Sequence, residues 1–167
     1  TKVVRVSNNP IKEYESWNPD LLVLGPGPGT PSEHGYNKII DSISTQQAVF
    51  GVCLGFQSIG EYFNFKIESA PSIEHGKYSE ILHDKQGIFL NINNPIKVVR
   101  YHSLTIKNSN KNNDIIITAY EKKSHLIMGI RHKSRPIEGV QFHPESIGTQ
   151  YGYRMIENSL KLVTKNL

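Results

Sequence analysis

The chain has 167 residues, 37% hydrophobic, with a formal net charge of +4, which is enough for one well-buried domain and too little for two. No apolar run approaches a membrane span, no signal-peptide pattern opens the chain, and the basic residues form no stripe interleaved with aromatics, so membrane and nucleic-acid partners are excluded as readings. The one cysteine rules out an internal disulfide framework and fits a reducing, cytoplasmic compartment.

Taken in chain order, the β-branched stretch Lys2–Val6 predicts a short strand, followed by a turn at Ser7-Asn8-Asn9-Pro10. Leu21–Leu24 is apolar on both faces, as a central parallel strand would be. Residues 36–44 predict a helix with Ile39, Ile40 and Ile43 on one side. Ala48–Cys53 reads as another apolar strand, and residues 54–63 as a helix carrying Leu54, Ile59, Tyr62 and Phe63. Beyond residue 65 short strands are expected at 78–82, 87–90, 96–100, 115–120, 126–131 and 137–142, with a polar loop at 108–114. A helix over 150–164 closes the chain, with Met155, Ile156, Leu160 and Val163 inward. The expected fold is α/β: a three-layer sandwich with a mostly parallel central sheet, and antiparallel strands added in the second half.

Gly25-Pro26-Gly27-Pro28-Gly29-Thr30-Pro31 follows the Leu21–Leu24 strand. Its glycines alternate, Thr30 stands where the third glycine of a dinucleotide fingerprint belongs, and no Lys follows as in a P-loop. The prolines remove donors and stiffen the turn. Such a loop suits one oxyanion better than a chain of phosphates.

Gly51-Val52-Cys53-Leu54-Gly55 is the thiol version of the G-x-S-x-G nucleophile elbow. A strand must turn sharply into a helix there, and flanking glycines let the backbone pass close. The cysteine then projects at the positive end of the helix, where thiolate is favoured over thiol. The Leu54 N–H faces any carbonyl that Cys53 attacks. The plainer alternative is a cysteine that serves as a small buried hydrophobe.

A base is available at His143-Pro144-Glu145. Pro144 keeps His143 extended, and residues two apart can point the same way, so Glu145 can accept the imidazole N–H and hold its tautomer. Alternatively His143 is a surface histidine and Glu145 an acid at a helix start. His34, His75, His83, His102, His125 and His132 have no carboxylate so placed. Metal-ligand spacing is missing, and nothing implies an organic cofactor.

Together these residues resemble the class I, triad-type glutamine amidotransferases. With Glu74-His75-Gly76-Lys77, Arg100-Tyr101-His102-Ser103-Leu104 and Gly139–Ser146 in the same order, the chain is similar to the glutaminase components of anthranilate and aminodeoxychorismate synthases. The resemblance implies hydrolysis of glutamine through a glutamyl thioester, with ammonia delivered to a chorismate-using synthase subunit. It implies Cys53 as nucleophile, with His143 and Glu145 completing the triad. Glutamine and its oxyanion would be held by Gly27, Pro28, Gly29, Leu54, Gln57, Ser103 and Leu104. His75, Gly76 and Lys77 are expected near the partner.

Two departures stand out. Phe56 replaces the family's usual His, and is expected to flank the pocket and tune it. The family's first strand and helix, with a D-N-Y-D-S-F-T-like segment, are expected before the strand matched by Lys2–Val6 and do not occur in the chain; without them a sheet edge would be exposed. Two other readings stay open: a non-catalytic docking subunit of such a synthase, and another cysteine hydrolase on an α/β scaffold.

Overall fold

The computed structural model describes residues 1–5, 10–109 and 113–163. The expected turn residues 7–9, Val6 of the expected first strand, loop residues 110–112 and residue 164 of the last helix lie outside them. Residues 1–5 form no strand, which corrects the expectation for Lys2–Val6. β-branching alone does not make a strand, because the ladder that stabilises one needs a partner. A short helix that the sequence reading missed, α1 (Pro10–Trp17), follows, with proline at its first position, where a missing N–H costs nothing.

The remaining elements are β1 (Leu21–Leu24), α2 (Tyr36–Ser42), β2 (Ala48–Val52), α3 (Leu54–Tyr62), β3 (Lys66–Ser69), β4 (Lys77–His83), β5 (Ile96–Arg100), β6 (Leu104–Lys107), β7 (Ile115–Glu121), β8 (Ile127–His132), β9 (Ile137–Val140) and α4 (Gly152–Leu160). Seven strands form one sheet in the order β1-β2-β9-β8-β7-β4-β5, while β3 and β6 pair separately. The pairs β1–β2 and β2–β9 are parallel and the rest antiparallel, so β1, β2, β9, β7 and β5 point one way. The expected α/β architecture is present, with β1, β2 and β9 forming its parallel part and antiparallel strands added in the second half of the chain.

Each face of the sheet carries its own core. Val49 on β2 packs with Ile39 and Ile40 of α2 and with Leu54, Phe56 and Ile59 of α3. Phe50 and Val52, pointing the other way, pack with Val98, Met128, Phe142, Phe89 and Met155 of α4. A strand buried on both faces must read as an unbroken apolar run, and β2 does. Residues after β9 also bond to β5 across the sheet: the His143 N–H donates to the Val99 carbonyl at 3.1 Å, and the Gln150 N–H to that of Lys97 at 2.9 Å. The sheet therefore curls until chain leaving β9 meets β5, although β8, β7 and β4 lie between them in the sheet order.

Two expectations about side chains and strands are corrected. Residues 87–90 are not a strand but a 3-10 turn over Gly87–Phe89, wound around a buried carboxylate. The Ile88 N–H donates to Glu138 at 3.1 Å, and Asn158 of α4 donates to the Ile88 and Leu90 carbonyls. In the last helix Ile156 and Leu160 are exposed. The inward stripe is Met155, Asn158, Ser159 and Leu162, one position around the helix, because Asn158 has backbone acceptors to satisfy.

Candidate active site

β2 ends at Val52 and α3 begins at Leu54, leaving Cys53 alone to make the turn. Its backbone adopts φ 53° and ψ −100°, a conformation that costs an L-residue about 1–3 kcal/mol. Tight packing holds it there. A Cβ on Gly51 would lie 2.6 Å from Ile59 Cδ1, and one on Gly55 would run into the Leu24 carbonyl at the end of β1. The Cys53 N–H donates to the Val140 carbonyl of β9 at 2.9 Å, and the Cys53 carbonyl accepts from the Gln57 N–H at 3.0 Å. The elbow is thus clamped between β1, β9 and the first turn of α3, whose leading N–H groups have no acceptor within the helix.

The loop after β1 lies against the elbow. A Cβ on Gly27 would lie 3.1 Å from Leu54 Cδ2, and Gly29 takes φ 81°, where its hydrogen faces the Glu33 carboxylate. That carboxylate accepts the Thr30 N–H at 2.9 Å, and His34 Nε2 bonds the Pro28 carbonyl at 2.6 Å. Gly27, Pro28 and Gly29 are therefore held rigidly beside Leu54.

His143 arrives from the other half of the chain. Its backbone is fixed by Val99, and its carbonyl accepts from the Thr149 hydroxyl at 2.7 Å, while that hydroxyl accepts the Val99 N–H at 3.1 Å. Nδ1 bonds Glu145 Oε1 at 2.6 Å. Nε2 is buried without a nitrogen or oxygen partner. Burial alone would lower the His143 pKa; a hydrogen bond with Cys53, that with Glu145 and the charges of both outweigh it and raise it to about 9. Burial pushes the Glu145 carboxyl up, but the His143 hydrogen bond and charge leave it below the usual range. Cys53, His143 and Glu145 thus come together in the order that nucleophilic catalysis requires, although ninety residues separate the first two.

Among the competing histidines, His83, His102 and His132 have other partners. His83 bonds the Asn93 carbonyl at 2.8 Å and stacks on Phe89, while His132 accepts the Ser134 and Arg135 N–H groups. His102 donates from Nδ1 to the Leu104 carbonyl at 2.8 Å, and Nε2 accepts from Arg100 Nε at 2.9 Å. Burial, then the Arg100 charge, push its pKa down to about 4.

Of the residues expected to hold glutamine, Gln57 is buried, and its amide nitrogen donates to Leu104 O and Gln141 Oε1, both at 3.0 Å. Only its oxygen remains for a ligand. The Leu104 carbonyl already accepts twice and that of Ser103 accepts the Ala70 N–H, so Ser103 offers its exposed hydroxyl side instead. Phe56 is fully buried in the α3 core, which corrects the expectation that it flanks the pocket. The segment His75, Gly76 and Lys77 is exposed. His75 meets Tyr101 edge-on at 5.5 Å, and Tyr101 meets His143 edge-on at 5.1 Å. Tyr101 and Gln141 were missed as site residues, although both lie within stretches the sequence reading singled out. A cleft of about 300 Å³ lined by Arg131, His132, Ser134, Arg135 and Glu138 sits beyond the opposite end of β9 and includes none of Cys53, His143 and Glu145.

Comparison with known proteins identifies the family. The family model described as "Glutamine amidotransferase class-I" matches residues 1–163. The chain is 42% identical over 165 residues to anthranilate synthase component 2 of Pseudomonas putida, covering 96% of the chain and 83% of that protein. It is 42% identical over 158 residues to aminodeoxychorismate/anthranilate synthase component 2 of Bacillus subtilis, covering 94% and 81%. Among solved structures, a protein described as a GMP synthase subunit from Thermoplasma acidophilum superposes with a TM-score of 0.81 at 28% identity, covering 94% of this chain and 79% of that one.

Proposed function

We propose that this chain, which belongs to the class I glutamine amidotransferase family, hydrolyses glutamine and passes the ammonia to a chorismate-using synthase subunit of the anthranilate or aminodeoxychorismate type. The observation that carries the catalytic reading is His143, hydrogen-bonded to Glu145 on one ring nitrogen and raised in pKa by Cys53 beside the other. An imidazolium between a carboxylate and a sulfur is placed to give its proton to a leaving group after the sulfur attacks.

Cys53 Sγ attacks the carboxamide carbon of glutamine, and the carbonyl electrons move onto oxygen. The Leu54 N–H and the Gly27–Gly29 loop meet that oxyanion, where each preorganised donor is worth about 10²–10³ in rate. The tetrahedral adduct collapses, the C–N bond breaks, and His143 gives its proton to the departing nitrogen. A glutamyl thioester and ammonia result. His143, now neutral, takes a proton from water as the oxygen adds to the thioester, and glutamate leaves with the thiolate restored. Gln57 Oε1 and the Ser103 hydroxyl face the α-amino and α-carboxylate groups of the substrate. Glu145 keeps the imidazole in the tautomer that points Nε2 at sulfur.

The synthase docks where His75, Gly76 and Lys77 are exposed, beside the open end of the triad. The chain forms a single amidotransferase domain, and a cytoplasmic location suits a protein with one free thiol and a biosynthetic partner. The test is glutamate release by the chain with its synthase subunit. Cys53→Ala should reduce it to background while the far-ultraviolet circular dichroism stays unchanged. Release at the parent rate would refute the reading.

A further inference from the structure

Gln141 is completely buried just beyond the end of β9, and its amide nitrogen lies 3.8 Å from Cys53 Sγ. A buried amide has two nearly isosteric orientations, and only one presents a donor to the sulfur. We propose that Gln141 is a positioning residue for the nucleophile: its amide N–H holds Cys53 Sγ, and a one-way relay from the Leu104 carbonyl through Gln57 dictates that orientation. The proposal rests on Cys53 being the nucleophile.

Chemistry fixes the direction of the relay at each link. A backbone carbonyl only accepts, so the group that Gln57 turns toward Leu104 O must be its nitrogen, at 3.0 Å. The second proton on that nitrogen then goes to Gln141 at 3.0 Å, where it needs an oxygen. With its oxygen so placed, Gln141 has only its NH₂ to offer the sulfur. At the far end Arg100, also a donor only, occupies His102 Nε2. The His102 proton therefore sits on Nδ1 and points at the same Leu104 carbonyl. Turning any member would set donor against donor or leave a buried polar atom unpaired, which costs more than one exposed hydrogen bond returns. His102 is neutral down to about pH 4, so this polarity persists across the working range.

A donor aimed at sulfur stabilises S⁻ over S–H. The titratable group facing the sulfur is His143, backed by Glu145; Arg100, Glu74 and His102 stand at the far end of the relay. Gln141 thus meets the sulfur from a direction that His143 does not use, and it bears no charge that substrate binding could alter.

The experiment is alkylation of the chain by iodoacetamide as a function of pH, followed by mass spectrometry; the sequence holds one cysteine, so the rate reports Cys53 alone. Gln141→Met keeps the bulk and removes the donor. Its alkylation at neutral pH should slow about tenfold, with the profile displaced to higher pH. Gln57→Met, which frees Gln141 to turn, should displace the profile the same way by a smaller amount. It decides the matter alone if Gln141→Met does not fold. Profiles coincident with the parent, or displaced to lower pH, overturn the proposal, even if melting temperature falls. Either result leaves glutamine hydrolysis to be judged by Cys53→Ala, since alkylation needs no turnover.

Discussion

The two ends of the triad are held in different ways. At Cys53 the backbone does the holding. The residue is buried in a positive-φ conformation between glycines whose neighbours leave no room for a Cβ, and its own N–H and carbonyl are both bonded. At Glu145 one short hydrogen bond to an imidazole holds a carboxylate that is about half exposed. The nucleophile's position is thus a property of the fold, whereas the acid's depends on a contact that solvent and a docking partner can reach. A rigid sulfur and an accessible carboxylate are what an enzyme needs if its activity answers to a second protein at one end only.

That contrast orders the expected effects of substitution. The largest belongs to Gly55→Ala, whose methyl would strike the Leu24 carbonyl and should cost at least ~3 kcal/mol in denaturant unfolding, with activity lost as well. A tolerant Gly55→Ala would mean that the elbow is looser than its packing implies.

Acid comes next, acting on the buried ground between the two ends. His102 takes its proton at about pH 4 in the folded state and near 6.5 unfolded, so the unfolded chain binds the extra proton as pH falls between these values. Stability should drop over that window by up to ~3 kcal/mol, with His83 and His132, also lowered by burial, acting in the same sense. Replacing His102 by Gln should flatten the slope of unfolding free energy against pH.

Glu145→Gln should lower kcat/KM by about 10²-fold and leave unfolding nearly unchanged, because the position is half exposed. The alkaline limb of the parent profile, expected near pH 9 where His143 loses its proton, should move to lower pH in this variant, since a group that raises the imidazole is gone. An unmoved limb would show that Cys53 alone sets the His143 charge. The smallest effect is that of Lys77→Glu, which should weaken stimulation by the synthase several-fold with basal turnover intact; unchanged stimulation would move the docking surface elsewhere.

The elbow was legible because its chemistry is local. A strand, two spaced glycines and a helix predict a sharp turn whichever way the rest of the chain folds. His143 and Glu145 were legible through Pro144 and their spacing, but that they reach Cys53 depends on a sheet curling until β9 meets β5, which no local pattern encodes. In the sequence, Gln141 stands as the polar member between apolar Val140 and Phe142. Alternation marks which side a residue faces, and here that side is the site and not solvent. The stripe expected on the last helix, Met155, Ile156, Leu160 and Val163, left out Asn158, whose amide satisfies two buried carbonyls. Residues 87–90 looked strand-like because Ile88 and Phe89 are apolar, but a carboxylate fifty residues away, Glu138, winds them into a turn. At Gln141, Asn158 and residues 87–90 a long-range polar partner overrode a short-range pattern.

Turnover here requires a sulfur and an imidazole from distant parts of the chain to act as one unit on glutamine. A glutamine-shaped diazoketone, followed by peptide mass spectrometry, tests this most directly. One label should appear, on Cys53, slowed by free glutamine and reduced to background in His143→Asn. Labelling that glutamine does not slow, or that proceeds equally well without His143, would contradict it.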